Sequence, residues 1–138
     1  MSSQEHKLVA DVALTANDRV LLVRYEDPSK YDGQRGWFLP DDYLHHLEHP
    51  DEAAQRIVRE QAGFDPPELR LRLIESFGDG AWHLVFHYSA KLREMPELAP
   101  GVNIAAAEWF PLDALPAAAD VAHHGWALEV IPKVVGGR

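Results

Sequence analysis

The histidines of this chain are its most chemically versatile residues. The 138 residues include eight His and no Cys, so imidazole and carboxylate groups are the candidates to hold a metal ion or move a proton. His45 and His46 stand just before Glu48. His83 and His87 fall on one face of a predicted strand, because strand side chains alternate. If the first group folds over that face, Glu48 and either His45 or His46 would join His83 and His87 in a site suited to Zn²⁺, Fe²⁺, Ni²⁺ or Mn²⁺.

A plainer interpretation of the same histidines is also open. Histidines on loops are commonly exposed, and histidines on a strand often line a polar ligand cleft without any metal. The sequence contains no H-E-x-x-H motif or comparable ligand spacing. We expect His123 and His124 to face water. The strand face predicted to be buried carries Trp82, Leu84, Phe86 and Tyr88.

Composition and charge exclude several classes of protein. The absence of Cys excludes disulfides, thiolate zinc sites and Cys nucleophiles. With 13 Lys and Arg against 22 Asp and Glu, the net charge of -9 repels a phosphate backbone, so no nucleic-acid partner is expected. No apolar run approaches the roughly 20 residues of a membrane helix, and no signal peptide is visible. We therefore expect one cytoplasmic domain over residues 1–138, with no membrane partner.

The elements that must position these residues follow the predicted order β-β-(β)-α-β-β-β-α, in which the third strand is a short segment. Two β-branched runs around a short turn predict a first hairpin, Lys7–Thr15 with Arg19–Tyr25, and a second is predicted at Leu69–Phe77 with Ala81–Leu92. This order predicts an α+β fold with a mixed sheet. The remaining predicted elements are a helix at Pro50–Ala62, a strand at Ala105–Phe110 and a terminal helix at Asp120–Val135, bent near Gly125 and Pro132.

The helix at Pro50–Ala62 has the clearest boundaries. Pro50 suits a first helical position, Asp51 and Glu52 complement the positive end of the helix dipole, and Gly63 ends the helix. Its apolar stripe consists of Ala53, Ala54, Ile57, Val58 and Ala62.

The segment from Gly36 to Phe64, GWFLPDDYLHHLEHPDEAAQRIVREQAGF, resembles the signature of the Nudix hydrolase superfamily. That signature is G-x5-E-x7-R-E-U-x-E-E-x-G-U, where U is a bulky apolar residue. The resemblance extends from about Lys7 to the final helix, and includes EWFPLDALP at Glu108–Pro116. It implies the Nudix fold, a mixed β-sheet sandwiched between helices. The matching positions are Glu48, Arg56, Val58, Glu60, Gly63 and Phe64.

The resemblance also implies a reaction. In this family, glutamates of the box hold Mg²⁺ or Mn²⁺ against a diphosphate, and the metal activates a water. By this resemblance Glu60 is a metal ligand, Glu48 is a further acidic residue of the site, and Arg56 orients a glutamate. Trp37 and Arg35, near the expected cleft, are the candidate substrate contacts. The implied activity is hydrolysis of nucleoside diphosphate-linked compounds.

Three positions, Asp42, Ile57 and Gln61, depart from the signature. Ile57 replaces a glutamate and cannot coordinate a metal, while Gln61 replaces another and offers only an uncharged carbonyl, a weak ligand. Asp41 and Asp42 stand where the family has Gly-Gly, and we expect them on a solvated loop of altered shape. The resemblance thus implies a weakened metal site.

Three functions therefore stay open from the sequence. The first is a Mg²⁺- or Mn²⁺-dependent hydrolase with a weakened site, the second a catalytically inactive ligand-binding protein, and the third an enzyme with a histidine-based transition-metal site. In the first two cases the partner is a small molecule that contains phosphate. The apolar residues of the terminal helix permit a homodimer. Candidates for an acidic ligand outside the box are Glu75, Asp79 and Glu108.

Overall fold

The computed structural model describes residues 5–31, 33–78 and 80–135. In these ranges a mixed sheet of six strands is accompanied by two α-helices, α1 (Pro50–Ile57) and α2 (Ala122–Val134). The strands are β1 (His6–Ala16), β2 (Arg19–Tyr25), β3 (Asp41–Tyr43), β4 (Arg70–Phe77), β5 (Trp82–Lys91) and β6 (Ile104–Pro111).

Strand β1 is the centre of the sheet, whose order is β4-β5-β1-β2-β6 with β3 also paired to β1. It runs parallel to β5 in a continuous register from His6↔Trp82 to Thr15↔Lys91. It is antiparallel to β2 and to β3, and β4 is antiparallel to β5. The two predicted hairpins are therefore confirmed.

Each helix covers one face of the sheet, because neighbouring residues of β1 project to opposite sides. The apolar stripe of α1 packs against one face, which includes Val12 and Leu14. Helix α2 packs against the other face, where Ala13, Val20 and Leu22 lie. This arrangement confirms the expected sheet between helices.

Helix α1 and the π turn that follows it together cover the predicted range Pro50–Ala62, but the π turn itself is unexpected. His49 caps its first turn by accepting a hydrogen bond at Nδ1 from the backbone of Asp51, and Glu52 accepts one from His49 in return. From Val58 to Ala62 the helix widens into a π turn, and it ends at Gly63 with a left-handed φ of 84°.

One burial prediction proves wrong, and a second holds only in part. Asp41 and Asp42 are not on a solvated loop but form β3, only 8% and 5% exposed, because their backbones pair with β1. On β5, Tyr88 of the face predicted to be buried does lie in the core, but Trp82 of that face is 45% exposed, and His87 of the opposite face is fully buried. The reason is that α2 covers the face on which His87 lies, whereas Trp82 stands at the exposed beginning of the strand.

Helix α2 is interrupted near its start, as predicted near Gly125. His123, His124 and Gly125 have φ values of 54°, 57° and 87°, so the regular helix begins only after them. The interruption leaves His123 and Trp126 over the sheet, beside the cavity described below. Within the described ranges, no helix has the length and apolar character needed to cross a membrane.

Candidate functional site

Arg56 gathers the acidic residues of the box around one guanidinium group. It donates hydrogen bonds of 2.9 and 3.1 Å to Glu48, 2.9 Å to Asp42 and 3.1 Å to Glu60. It also donates to the backbone carbonyl of Tyr43 at 3.0 Å. The hydrogen bonds to Arg56 hold the pKa of Glu48 below its usual range. The carboxylates thus converge on a cation supplied by the chain itself.

Gln61 uses its amide to join α1 to the sheet. Its Nε2 donates to the backbone carbonyl of Asp41 at 2.8 Å, and its Oε1 accepts from the Tyr25 hydroxyl at 2.8 Å. The backbone N–H of Asp41 donates to the same hydroxyl at 3.1 Å. Burial, and next the nearby Asp41 carboxylate, raise the pKa of Tyr25 well above its usual value, so Tyr25 remains a neutral donor. Both ends of the Gln61 amide are therefore engaged in buried hydrogen bonds.

The box positions do not fit a metal centre of three glutamates. Ile57 is fully buried in the apolar cluster beneath α1, and Gln61 is engaged as described. Glu60 keeps a side chain 57% exposed, while Asp42 already pairs with Lys30 at 2.7 Å and with Arg56. Among the described residues, no group of three or more His, Cys, Asp or Glu side chains is arranged to hold a metal ion.

A cavity of about 290 Å³ lies on the α2 side of the sheet, next to the box. Asp42 lines this cavity and also accepts from Arg56, so the cavity and the Arg56 cluster adjoin. Most of the lining side chains are aromatic or aliphatic, which suits a planar apolar group. The lining residues are Val9, Tyr31, Phe38, Asp41, Asp42, Tyr43, Phe77, His83, Val85, His123 and Trp126.

The cavity has an aromatic end and an acidic end. On β4 and β5, the rings of Phe77 and His83 stack with an interplanar angle of 2° and centroids 5.2 Å apart. Trp126 meets Phe77 edge-on at 6.1 Å. At the other end lie Asp41 and Asp42 on β3. Neither Lys nor Arg occurs among the described lining residues, and the two cations beside Asp42, Lys30 and Arg56, are already paired with its carboxylate.

His87 lies beneath the cavity between two carboxylates. Its Nδ1 is 2.6 Å from Asp11 and its Nε2 is 2.7 Å from Glu75. Burial alone lowers the pKa of His87, but the two carboxylates outweigh it and raise that pKa overall. Burial raises the pKa of Asp11, opposed by its hydrogen bond to His87. Trp126 packs on the His87 ring at 5.6 Å and stands between this buried group and the cavity.

The predicted histidine-based metal site is not assembled in this arrangement. His87 has both ring nitrogens bonded to carboxylates, whereas His83 lines the cavity. His45 and His46 are exposed. The expectation that His123 faces water is wrong, because the interrupted start of α2 brings it to the cavity wall.

The two predicted substrate contacts lie outside the lining of the cavity. Trp37 packs edge-on against Phe110 at 4.8 Å, and the guanidinium of Arg24 lies 5.5 Å from the centre of its ring. Arg35 is exposed. Of the candidate extra acidic ligands, Glu75 bonds His87 and Glu108 is exposed on β6, and Asp79 lies outside the described residues.

Several residues of the site were not singled out by the sequence. Tyr25, Asp11, Phe77 and Trp126 all lie at or beneath the cavity or against the box. For Asp11 a sequence indication existed, because an acidic residue inside an apolar strand must find a partner when buried. For the aromatic residues none existed, because aromatic side chains at strand positions are typical of ordinary cores.

Solved structures of other proteins share this fold. The MutT NUDIX hydrolase from Burkholderia pseudomallei superposes with a TM-score of 0.75 at 21% identity, covering 96% of this chain and 100% of that chain. The NUDIX domain of Shewanella oneidensis NrtR, complexed with ADP ribose, gives 0.73 at 18% identity, covering 96% and 87%. The E. coli dihydroneopterin triphosphate pyrophosphohydrolase gives 0.73 at 17% identity, covering 97% and 100%.

A search of curated protein sequences found no match to this chain. The sequence model of the NUDIX domain family, in contrast, matches residues 5–133, nearly the whole chain. NUDIX hydrolases generally use divalent metals such as Mg²⁺ or Mn²⁺. From the match over these residues, together with the shared fold, it follows that this chain belongs to the NUDIX domain family.

Proposed function

We propose that this chain is a NUDIX-fold protein that binds a small molecule in the cavity beside its box, and that the box itself serves as structure rather than as a three-carboxylate metal centre. The observation that carries this proposal is the structural role of the side chains at two box positions. Ile57 belongs to the apolar core, and the Gln61 amide joins Tyr25 to Asp41. Both side chains are integrated into the fold in ways that a metal-bound glutamate would not be.

The intact cavity favours binding over a purely structural role. Its walls are aromatic, and its volume of about 290 Å³ is near the lower end of the range for small-molecule pockets. Relatives supply the ligand class: the NUDIX domain of NrtR was solved with ADP ribose, and another relative is a dihydroneopterin triphosphate pyrophosphohydrolase. We infer a ligand that joins a planar ring to phosphate. The phosphate would lie outside the cavity, whose described lining has no Lys or Arg.

A second candidate function is residual hydrolysis that depends on Mg²⁺ or Mn²⁺. It is favoured by Glu60, which keeps a 57% exposed carboxylate next to Arg56. Mg²⁺ is often bound by one or two carboxylates together with substrate phosphates, so Glu60 and a bound diphosphate would be the minimum set. The histidine-based metal site has less support, because both nitrogens of His87 are hydrogen bonded.

The deciding experiment measures both binding and product release. A panel of nucleoside diphosphate derivatives, including ADP-ribose, is tested by thermal shift and for product release with Mg²⁺ and then Mn²⁺. Glu60→Gln is assayed in parallel to identify a contaminating hydrolase, and Glu68→Gln, at an exposed position outside the box, serves as the control. We expect thermal stabilisation by at least one compound, and no product release above the level of Glu60→Gln.

Two outcomes would contradict the proposal. Metal-dependent product release that is lost in Glu60→Gln and kept in Glu68→Gln would establish the hydrolase instead. If no compound of the panel stabilises the protein, the proposal that it binds a phosphate-containing ligand is wrong. Stoichiometric zinc, iron, nickel or manganese in tag-free protein would support the histidine-based metal site instead.

A further inference from the structure

We infer that a groove at the opposite end of the sheet from the cavity is a second binding site, which takes a soluble phosphate ester with an aliphatic segment. The groove has a volume of about 770 Å³, and its lining includes the last residues of β1, β5 and α2 and the first residues of β4. Val9 in the cavity and Thr15 in the groove are six residues apart on β1, which is about 20 Å along a strand. The inference therefore goes beyond the proposed function, because it concerns a separate place on the molecule.

Three cations on one side of the groove have no partner among the described residues. Arg70 and Arg72 lie on β4, and Lys91 ends β5. Within the described ranges, no ion pair or hydrogen bond engages the charged groups of these side chains. The acidic residues of the described lining are Asp18 and Glu68, so the groove carries net positive charge in a chain whose net charge is -9. Positive charge concentrated in this way favours an anionic ligand.

Strands hold these cations on one side of the sheet. Arg70 is the cross-strand partner of Ser89, and Lys91 follows Ser89 by two residues, so all three project from the same face. A bulge leaves Arg72 as an extra residue of β4, so that Leu73 packs beneath α2 while Arg72 stays at the groove. Because strand register places the cations, a ligand does not have to order a loop in order to meet them.

The charged side of the groove fits a phosphate group better than a carboxylate. A phosphate ester carries about two negative charges at neutral pH and has three free oxygens. Guanidinium groups such as those of Arg70 and Arg72 bind phosphate oxygens in pairs, and the ammonium group of Lys91 supplies a further charge. The hydroxyl of Ser89 lies in the same lining and can donate to a fourth contact. These three positive charges exceed what one carboxylate neutralises.

The opposite wall of the groove is apolar. It includes Leu112, just after β6, and Val134 and Val135 at the end of α2. Leu112 and Val135 are half-buried, so part of each side chain is open to a ligand. The negative end of the α2 dipole also lies on this wall, which directs a phosphate to the cationic side. An aliphatic segment attached to the phosphate would cover the apolar wall, whereas inorganic phosphate would leave it in water.

A soluble ester is favoured over a lipid headgroup in a membrane. The cations surround a concave groove rather than a flat surface. The rest of the chain is strongly acidic, and an anionic membrane surface would repel it. A small molecule can enter the groove without bringing such a surface close to the protein.

The test compares hexyl phosphate, inorganic phosphate and heptanoate in NMR titrations of the full chain at constant ionic strength. Hexyl phosphate should shift the amide resonances of Ser89 and Lys91. It should bind about tenfold more tightly than inorganic phosphate, the effect of burying about two methylene groups. Heptanoate should bind about tenfold more weakly than hexyl phosphate, because it has one negative charge and two oxygens for the three cations.

Two double variants are matched in charge. Arg70→Gln with Arg72→Gln removes two cations of the groove, while Arg35→Gln with Arg59→Gln removes two cations from exposed positions outside it. The first should weaken the binding of hexyl phosphate about tenfold or more, and the second should behave as wild type. Binding in the cavity beside the box should be the same in the first variant and in wild type, so the two sites are tested independently.

Four results would overturn the inference. Equal weakening in the two double variants would assign the effect to net charge alone. Shifts confined to cavity residues such as Val85 and Trp126 would place the probe in the cavity instead. Equal binding of heptanoate and hexyl phosphate would contradict the assignment of a phosphate group. Co-sedimentation with phosphatidylcholine vesicles that contain phosphatidic acid, lost in Arg70→Gln with Arg72→Gln, would identify a membrane surface as the partner.

Discussion

The hydroxyl of Tyr25 donates a 2.8 Å hydrogen bond to the side-chain carbonyl of Gln61, and both groups are buried. Tyr25 ends the second strand, whereas Gln61 lies in the π turn that closes the box. A position that holds a metal-binding glutamate in the family signature therefore serves here as a neutral link between helix and sheet. A neutral amide both donates and accepts, which a carboxylate cannot do.

Gln61→Glu should lower the free energy of unfolding by about 1–3 kcal/mol at neutral pH, because the carboxylate cannot donate to the Asp41 carbonyl and is forced close to it. Urea denaturation of the variant provides the measurement. Gln55→Glu, at an exposed position of the same helix, is the matched control and should change stability little. Equal stability of Gln61→Glu and wild type would contradict the structural role of the amide.

Ile57→Glu restores a glutamate of the signature and should still not restore a metal site. Burial of an unpaired carboxylate in the apolar cluster beneath α1 should cost more than about 3 kcal/mol of stability. Ile57→Val, which removes one methyl group, should cost about 1 kcal/mol. Chemical denaturation measures both, with calorimetric titration of Mn²⁺ alongside. A stable Ile57→Glu protein that binds Mn²⁺ tightly would show that the fold at this position accommodates a metal-binding carboxylate.

Arg56→Lys should destabilise the chain by about 2 kcal/mol although the charge is kept, because a lysine ammonium cannot reproduce the forked contacts with Glu48 and Asp42. Arg59→Lys is the control, since Arg59 forms a surface pair with Asp65 and should contribute less than about 1 kcal/mol. The comparison is made by thermal and urea denaturation. Similar losses in the two variants would argue against Arg56 as the organising residue of the box.

The stability of the chain should fall as the pH rises above about 6.5, because the pKa of His87 is raised in the folded chain. Its pKa in the folded chain is raised above the unfolded value of about 6.5. Its protonation therefore contributes fully below about pH 6.5 and is lost as the pH rises through the folded pKa. His87→Gln should flatten this part of the profile of unfolding free energy against pH, and His124→Gln should leave it unchanged. A wild-type slope in His87→Gln would assign the dependence to other groups.

The fold was predictable from the sequence where local patterns determine it. The apolar residues from Ala53 to Ala62 follow helical spacing, and Gly63 has the backbone freedom that the end of a helix requires. Both features can therefore be recognised in the sequence. The surroundings of Asp41 and Asp42 were not predictable in this way. Their burial depends on Tyr25 and Arg56, partners distant in the chain, and no local pattern reports such a partner.

The same limit applies to His87. Alternation along the strand correctly predicts that it shares a face with His83, but the carboxylates that enclose it come from two other strands. Only the register of β1, β4 and β5 brings these groups together. The residue types suggested a metal ligand, and the register instead supplied two carboxylate partners.

The long parallel pairing of β1 with β5 also has a kinetic consequence. His6 is paired with Trp82 and Thr15 with Lys91, so β2, β3, α1 and β4 all lie within the crossover that this pairing closes. Hairpins form quickly from local contacts, whereas parallel pairing across such a separation is slow. The floor of the cavity uses Val9 from one of these strands and Val85 from the other. A ligand can therefore bind only to chains in which β1 and β5 have paired. Its binding should slow the global unfolding of the chain rather than protect a single segment from local unfolding.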